Sequence, residues 1–307
     1  MNSGVRVGIA IPQTFPAASV DPRFLRAFVT RAEALGYDSL WVLERMLGTM
    51  NVLDPIELLT FASAITDRVR LGAAVLLTAL RSPVHLAKAL ATLDHVSGGR
   101  LIVGVGLGGD RNAYPAYGYA AEARVARFTE GLRVVKALWT EEQVTFDGRF
   151  FKVQNATMAP PPVQRPHPPL WFGGHHPDAL ARAATMGDGF IGAGIASTPE
   201  FADQVRALAR LLANAGRDPA AFPIGKRVYL AIDRDRARAV SRLTEWFGGF
   251  YGRRELATRV TVAGNVQECI DGLGAVVAAG ARLLILNPVF DEMEHLERLA
   301  AEVAPKL

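Results

Sequence analysis

Strand-like and helix-like stretches alternate along nearly the whole of this 307-residue chain, and few architectures can be wound from that order. Short apolar runs at 5–12, 39–43, 70–77, 101–106, 170–172, 190–192, 227–232 and 283–286 read as eight strands. Between them lie stretches with apolar side chains at helical spacing. The clearest are 22–35, with Phe24, Phe28, Ala32 and Leu35 on one face, then 55–65, 83–96, and 122–139 with Val125, Phe128, Leu132, Val135 and Trp139 inward. Phe201, Val205, Leu208 and Leu212 mark a sixth helix, and a last one is expected near 292–303. Gly36 and the Gly98-Gly99 pair close the first and third helices. Eight βα units without a compositional break point to an α/β chain folded as a (β/α)8 barrel, one domain over 1–307, with a doubly wound sheet as the alternative.

In a barrel the chemistry sits at the carboxyl ends of the strands. Two loops stand out by length. Residues 140–169, after the fourth helix, contain VTFDGRFFKV, a hairpin signal with Asp147-Gly148 at the turn, and then a proline-rich run. Residues 233–265, after strand seven, carry Trp246, Phe247, Phe250 and Tyr251 around Gly248-Gly249. Either insertion suits a lid, a pocket wall or an oligomer contact.

Composition narrows the partners. The chain is half hydrophobic and 21% charged, which excludes disorder. The net charge of +4 comes from 34 basic residues, 29 of them Arg, dispersed among 30 acids with no basic run or aromatic platform, so no nucleic-acid partner is expected. A lone Cys269 leaves no internal disulfide or cysteine zinc cage and suits a reducing cytoplasm; no metal site is expected. The first residues lack the basic start and apolar core of a signal peptide. No apolar run approaches the ~18 residues of a membrane span, so no membrane partner is expected.

The segment PLWFGGHHPDALARAATMGDGF, 169–190, has the build of an anion site. A buried strand ends at Gly173-Gly174, His175 and His176 follow, and Pro177 opens a helix whose free amides would face a ligand beyond the strand. A plain βα turn, with glycines that serve only packing, fits the same residues.

The blocks AEALGYDSLWVLER (32–45), TDRVRLGAAVLLTALRSPVHLAKALATLDHVSGGRLIVGVGLG (66–108) and RFTEGLRVVKALWTEEQVTFDGRFF (127–151), together with 169–190, resemble the luciferase-like flavin and deazaflavin oxidoreductases, most closely the hydride transferases that use coenzyme F420. The resemblance implies a (β/α)8 barrel with an insertion after the fourth helix, and a homodimer. It implies a bulge at Ala74-Val75, a non-prolyl cis peptide in many members, behind the isoalloxazine ring. It places GVGLGGDRN at the ring's polar edge, through Gly106, Leu107, Gly108 and Asn112, and the cofactor phosphate on Gly173, Gly174, His175 and His176. The GxGxxG-like look of Gly104, Gly106 and Gly109 is weak evidence for a dinucleotide fold, because Asp110 and Arg111 start no apolar helix.

Many relatives place an acid followed by His at the end of strand two, with the His exchanging a proton. Here the pair is Glu44-Arg45. Arg cannot act as a base near neutral pH but holds an anion or a developing oxyanion. On this reading Arg45 anchors the substrate and Glu44 contacts the ring or orients Arg45; a surface ion pair is the bland alternative. Certain sugar-phosphate dehydrogenases of the family carry a Glu where this chain has Gly109. Tyr114, Tyr117, Trp246, Phe250 and Tyr251 are candidate pocket walls, or equally an interface core. The resemblance implies an oxidoreductase using F420, probed against two alternatives, an FMN-dependent two-component monooxygenase and a non-catalytic flavin-binding barrel.

Overall fold

Eight strands pair in parallel and the last closes on the first. They are Arg6–Ala10, Ser39–Val42, Arg70–Ala73, Leu101–Val105, Leu170–Gly173, Gly189–Gly192, Ile224–Ile232 and Leu283–Asn287. The computed structural model describes residues 4–15, 20–108 and 111–307, so the calls on Gly109 and Asp110 lie outside the described residues. Closure runs from strand one to strand two and to strand eight, and from strand six to strand seven, which excludes the doubly wound sheet.

Helices α1 (Pro22–Ala34), α2 (Pro55–Ser63), α3 (Pro83–Val96), α4 (Arg124–Thr140), α5 (Pro177–Met186) and α6 (Thr198–Asn214) follow the first six strands. The starts are local: Asp21, Asp54 and Ser197 each accept from a first-turn amide, and proline stands in the first turn of all three helices. Helix α1 buries Phe28 and Ala32 of the expected face together with Leu25 and Val29, while Phe24 and Leu35 are partly buried against the same core. The apolar stripe is wider than that one face. After strand seven come α7 (Arg236–Tyr251), α8 (Leu256–Val260) and a short strand, Val262–Gly264, before α9 (Val266–Ala278) returns to the barrel; α10 (Glu292–Arg298) follows strand eight.

Side chains fill the barrel. Trp41 and Trp171 meet inside it with ring centroids 6.1 Å apart. The strands beside them supply no side chain at that level. A Cβ on Gly72 would lie 2.5 Å from Trp41, and one on Gly189 2.7 Å from Trp171. These contacts make the interior a packed core rather than a pore.

Strand seven is longer than its sequence pattern predicts, because Ile224, Gly225 and Lys226 pair with strand six while Leu230–Ile232 pair with the extra strand at 262–264. The insertion at 140–169 forms the expected hairpin, Val144–Asp147 with Lys152–Ala156. The Glu130 carboxylate on α4 accepts from the amides of Arg149, Phe150 and Phe151 at 3.1, 2.7 and 2.8 Å. The chain then runs along α3, where Lys88 donates to the Ala159 carbonyl at 2.6 Å, and Gln164 bonds Asp94 and the Leu101 carbonyl at the base of strand four. This insertion is therefore anchored on the outer helices. Among the described residues no helix is long and apolar enough to cross a membrane.

His295 ties α10 to strand seven: its Nε2 accepts from the Ile232 amide at 3.0 Å, and its Nδ1 lies 3.1 Å from the Asp291 carbonyl. Burial holds the ring below its ordinary pKa of 6.5. Between the lowered value and 6.5 the unfolded chain binds a proton that the folded one does not, so this contribution is present above pH 6.5 and lost as pH falls. Melting temperatures recorded from pH 7.5 to 5 are expected to fall more steeply for the native chain than for His295→Gln.

Candidate active site

The third strand ends at Ala73, the Ala74–Val75 peptide is cis, and Leu76 rejoins the sheet by bridging to Val105. Val75 lies between the ends of strands four and five. A Cβ on Gly106 would approach its Cγ2 to 2.5 Å, and one on Gly173 would approach its Cγ1 to 2.6 Å. Glycine is required at both positions for the bulge to sit here. Gly108, with φ +70°, turns the chain away after strand four beside Leu77, and Asn112 is exposed in the loop beyond.

The Glu44 side chain is fully buried and does not orient Arg45. Its Oε2 accepts from the Leu77 amide at 2.5 Å, and its Oε1 accepts from Arg81 Nε and Nη2 at 2.9 and 2.6 Å. Arg81 also reaches Asp54 at 2.8 Å, the residue that caps α2. Burial raises the Glu44 pKa, and Arg81 with the Leu77 amide opposes that rise. Glu44 thus clasps the chain just after the bulge. Arg81 and the Leu77 amide hold both oxygens of the carboxylate, whereas Arg45 turns to the Phe250 carbonyl.

Arg45 points elsewhere. Its Nη1 donates to the Phe250 carbonyl, its guanidinium lies 4.8 Å from the Phe250 ring centroid, and its Nε is 3.4 Å from the Leu47 carbonyl. It fastens the loop after strand two to the end of α7. The pocket aromatics fall into two groups. Trp246 stacks on Phe250 at 4.7 Å, and the Tyr251 hydroxyl lies 2.7 Å from that of Tyr229 on strand seven. Tyr114 is buried, its hydroxyl donating to the Leu107 carbonyl at 2.8 Å, so it supports the fourth-strand turn from behind; Tyr117 is half-buried. A half-buried Tyr117 with its pKa raised by burial and by the nearby Glu44 places this loop next to the Glu44 clasp.

The turn after strand five forms as its sequence implies. Gly174 has φ +154° and would place a Cβ 2.8 Å from Ala179. His176 caps α5, its Nδ1 accepting from the Asp178 amide at 3.2 Å, and His175 and His176 are both exposed. The start of a ten-residue helix follows two exposed histidines here, and a helix start suits a phosphate.

A narrow cleft opens between the ends of strands one, two, seven and eight and the side of α7. Trp41, Gln13, Arg227, Trp246, Asn287 and Glu292 line it. Arg227 Nη1 donates to the Ala74 carbonyl at 3.1 Å, and its Nε donates to Asn287 Oδ1 at 2.7 Å, so the cleft adjoins the bulge directly. Gln13 pins the loop above: its amide spans the Leu43 amide and carbonyl and the Leu53 carbonyl. Sequence reasoning missed Arg227, Asn287, Gln13 and Glu292. The available signal was the Lys226-Arg227 pair inside an otherwise apolar strand.

Breaking the Glu44 clasp leaves Arg81 partly buried with one carboxylate fewer. Arg81 keeps Asp54, so Glu44→Ala is expected to lose about 1–3 kcal/mol in urea unfolding, chiefly the cost of leaving the Leu77 amide without its acceptor. Arg45→Ala, at a half-exposed site, is expected to lose less than about 1 kcal/mol.

Comparison with known proteins shows the family. The family described as luciferase-like monooxygenase matches residues 1–282. The F420-dependent glucose-6-phosphate dehydrogenase of Beutenbergia cavernae is 30% identical over 93% of this chain and 94% of that protein. An uncharacterized protein of Mycobacterium tuberculosis is 39% identical over 176 residues, 55% of this chain and only 59% of that relative's length. In fold, an F420-dependent secondary alcohol dehydrogenase in complex with an F420-acetone adduct superposes with a TM-score of 0.85 at 21% identity, covering 98% of both chains. Matched over residues 1–282 by the model of one family, the chain belongs to the luciferase-like monooxygenase family.

Proposed function

We propose that this chain is a hydride transferase dependent on coenzyme F420, acting as a reductase on a small organic substrate with an activated double bond or carbonyl. The observation that carries the reading is the near full-length relationship to an F420-dependent dehydrogenase at 30% identity. The residues present fit such a cofactor. Val75 offers a rigid apolar backstop between Gly106 and Gly173, and the Gly173–His176 turn offers an anion cradle at a helix start. When bound, the deazaflavin supplies hydride and resists oxygen chemistry.

The chain's own groups then have assignable tasks. Ala74 and Val75 support the ring, Gly106, Leu107, Gly108 and Asn112 meet its polar edge, and Gly173, Gly174, His175 and His176 hold the phosphate. Glu44 acts at one remove, by holding Leu77 and hence the bulge. Trp246 and Phe250 form an apolar wall that excludes water, kept in place by Arg45. Arg45 follows Glu44 where many relatives have His, which argues against alcohol oxidation through that His and favours reduction. The same reading includes a homodimer in a reducing cytoplasm.

The test is binding followed by redox chemistry. Purified protein is titrated with F420 and with FMN, and oxygen consumption is followed in the presence of each reduced cofactor. Tight F420 binding without oxygen uptake is the expected result. Preference for reduced FMN with oxygen uptake would assign a two-component monooxygenase instead, and binding of neither would assign a non-catalytic barrel. Gly173→Val, which forces a side chain into Val75, is expected to weaken F420 binding at least ~10-fold, the equivalent of ~1.4 kcal/mol.

A further inference from the structure

Of the chain's five lysines, Lys226 alone is buried, with 3% of its surface exposed. It stands on strand seven and reaches under the loop that follows strand six. Its Nζ donates to the Ala193 carbonyl and, at 2.8 Å, to the Ala196 carbonyl, and lies 5.7 Å from the centre of the Phe201 ring on α6. Gly192 leaves room for the stem, since a Cβ there would lie 2.9 Å from Lys226 Cδ. The loop itself closes on the barrel mouth. A Cβ on Gly194 would lie 2.6 Å from the Tyr229 ring, and Ile195 packs against the cluster that contains Tyr229, Leu243 and Phe247.

Two carbonyls suit one protonation state of the amine better than the other. A neutral amine has two N–H groups, one for each carbonyl, whereas an ammonium has three, and no acceptor among the described residues takes the third. The ammonium also loses its hydration in this enclosed space. Three charged groups stand around it. Glu200 of α6 is engaged with Ser197 in the capping box and lies 4.0 Å from Arg259 of α8; Arg227 is the next residue along strand seven. None of them bonds the Lys226 nitrogen.

We infer that Lys226 is a proton-sensitive pin for the loop at 193–196: the closed loop fits the neutral amine, and uptake of a proton favours an open loop in which the ammonium reaches water. Burial lowers the Lys226 pKa from 10.5 to about 7, with Glu200 opposing the fall and Arg227 adding to it. In the open loop the amine regains the ordinary lysine value. Between about 7 and 10.5 the open form therefore binds a proton that the closed form lacks. The closed loop gains as pH rises through that window, and the open loop gains as pH falls, levelling off below about 7. The loop leans on Tyr229 and on the stem of Arg227, whose guanidinium holds the Ala74 carbonyl, so its opening loosens the barrel mouth beside the bulge. The pin is independent of which cofactor the barrel binds.

The experiment uses the full chain without added ligand and has two readouts. In protein labelled with ¹³C at the lysine Cε, five signals are followed by NMR from pH 6 to 11. One should titrate near pH 7 and vanish in Lys226→Met, while the other four titrate near the ordinary value. Hydrogen exchange of the amides at 193–197 is then compared between native and variant at matched pH, which cancels the intrinsic pH dependence of exchange. The native-to-variant ratio of exchange rates should fall about 10-fold or more between pH 7 and pH 9. If Lys226→Met does not fold, Lys226→Gln, which keeps two N–H donors for the carbonyls but does not titrate, serves as the reference. Five lysine signals that all titrate above pH 10 overturn the inference. A signal that titrates near pH 7 with an exchange ratio that does not change with pH also overturns it, because the proton then binds without moving the loop.

Discussion

A valine side chain between two glycines sets the geometry of the barrel mouth. Val75 can occupy the space between strands four and five because Gly106 and Gly173 leave its methyl groups room, and three polar contacts secure the segment around it. Arg227 takes the Ala74 carbonyl from one side, Glu44 takes the Leu77 amide from another, and Leu76 re-enters the sheet next to Val105. The proposed cofactor surface, the cleft and the anion turn all meet this bulge. A rigid backstop of this kind is useful only if its position is over-determined, and here strands two, four, five and seven all constrain it.

Charge is distributed to the same end. Glu44, whose side chain is buried, pairs with the partly exposed Arg81, with Asp54 as a third member, and the Leu77 amide donates to the other carboxylate oxygen. Such a pair adds little net stability but fixes geometry, since losing one partner strands the other. Strand seven shows how alternation separates two adjacent cations. Lys226 points outward to the carbonyls after strand six, including that of Ala196 at 2.8 Å, and burial lowers its pKa to about 7. Arg227 points inward and is held by neutral acceptors, Asn287 and the Ala74 carbonyl.

The parts of the site that could be read from sequence are those carried by the backbone. The turn at Gly173-Gly174 is written in residues whose steric needs are explicit, whereas the bulge at Ala74-Val75 and the role of the strand-four glycines come only with the family resemblance. The parts that could not be read depend on which side chain meets which. Glu44 and Arg45 are adjacent in sequence, yet Glu44 bonds a residue 37 positions away and Arg45 one 205 positions away. The aromatic run in α7 likewise divides: Trp246 lines the cleft, while Tyr251 is bonded to Tyr229.

By itself the amino-acid order determined the eight-fold alternation of strand and helix, the helix starts at Asp21, Asp54 and Ser197, and the glycine turns, because each depends on residues within a few positions of one another. Only closure of the barrel decided what lines the mouth. It brought Gln13, Trp41, Arg227, Asn287 and Glu292, drawn from both ends of the chain, around one cleft. Hydrophobic periodicity records which face of a strand is buried, but not which other strand end stands opposite it, and the chemistry of this site lies in that juxtaposition.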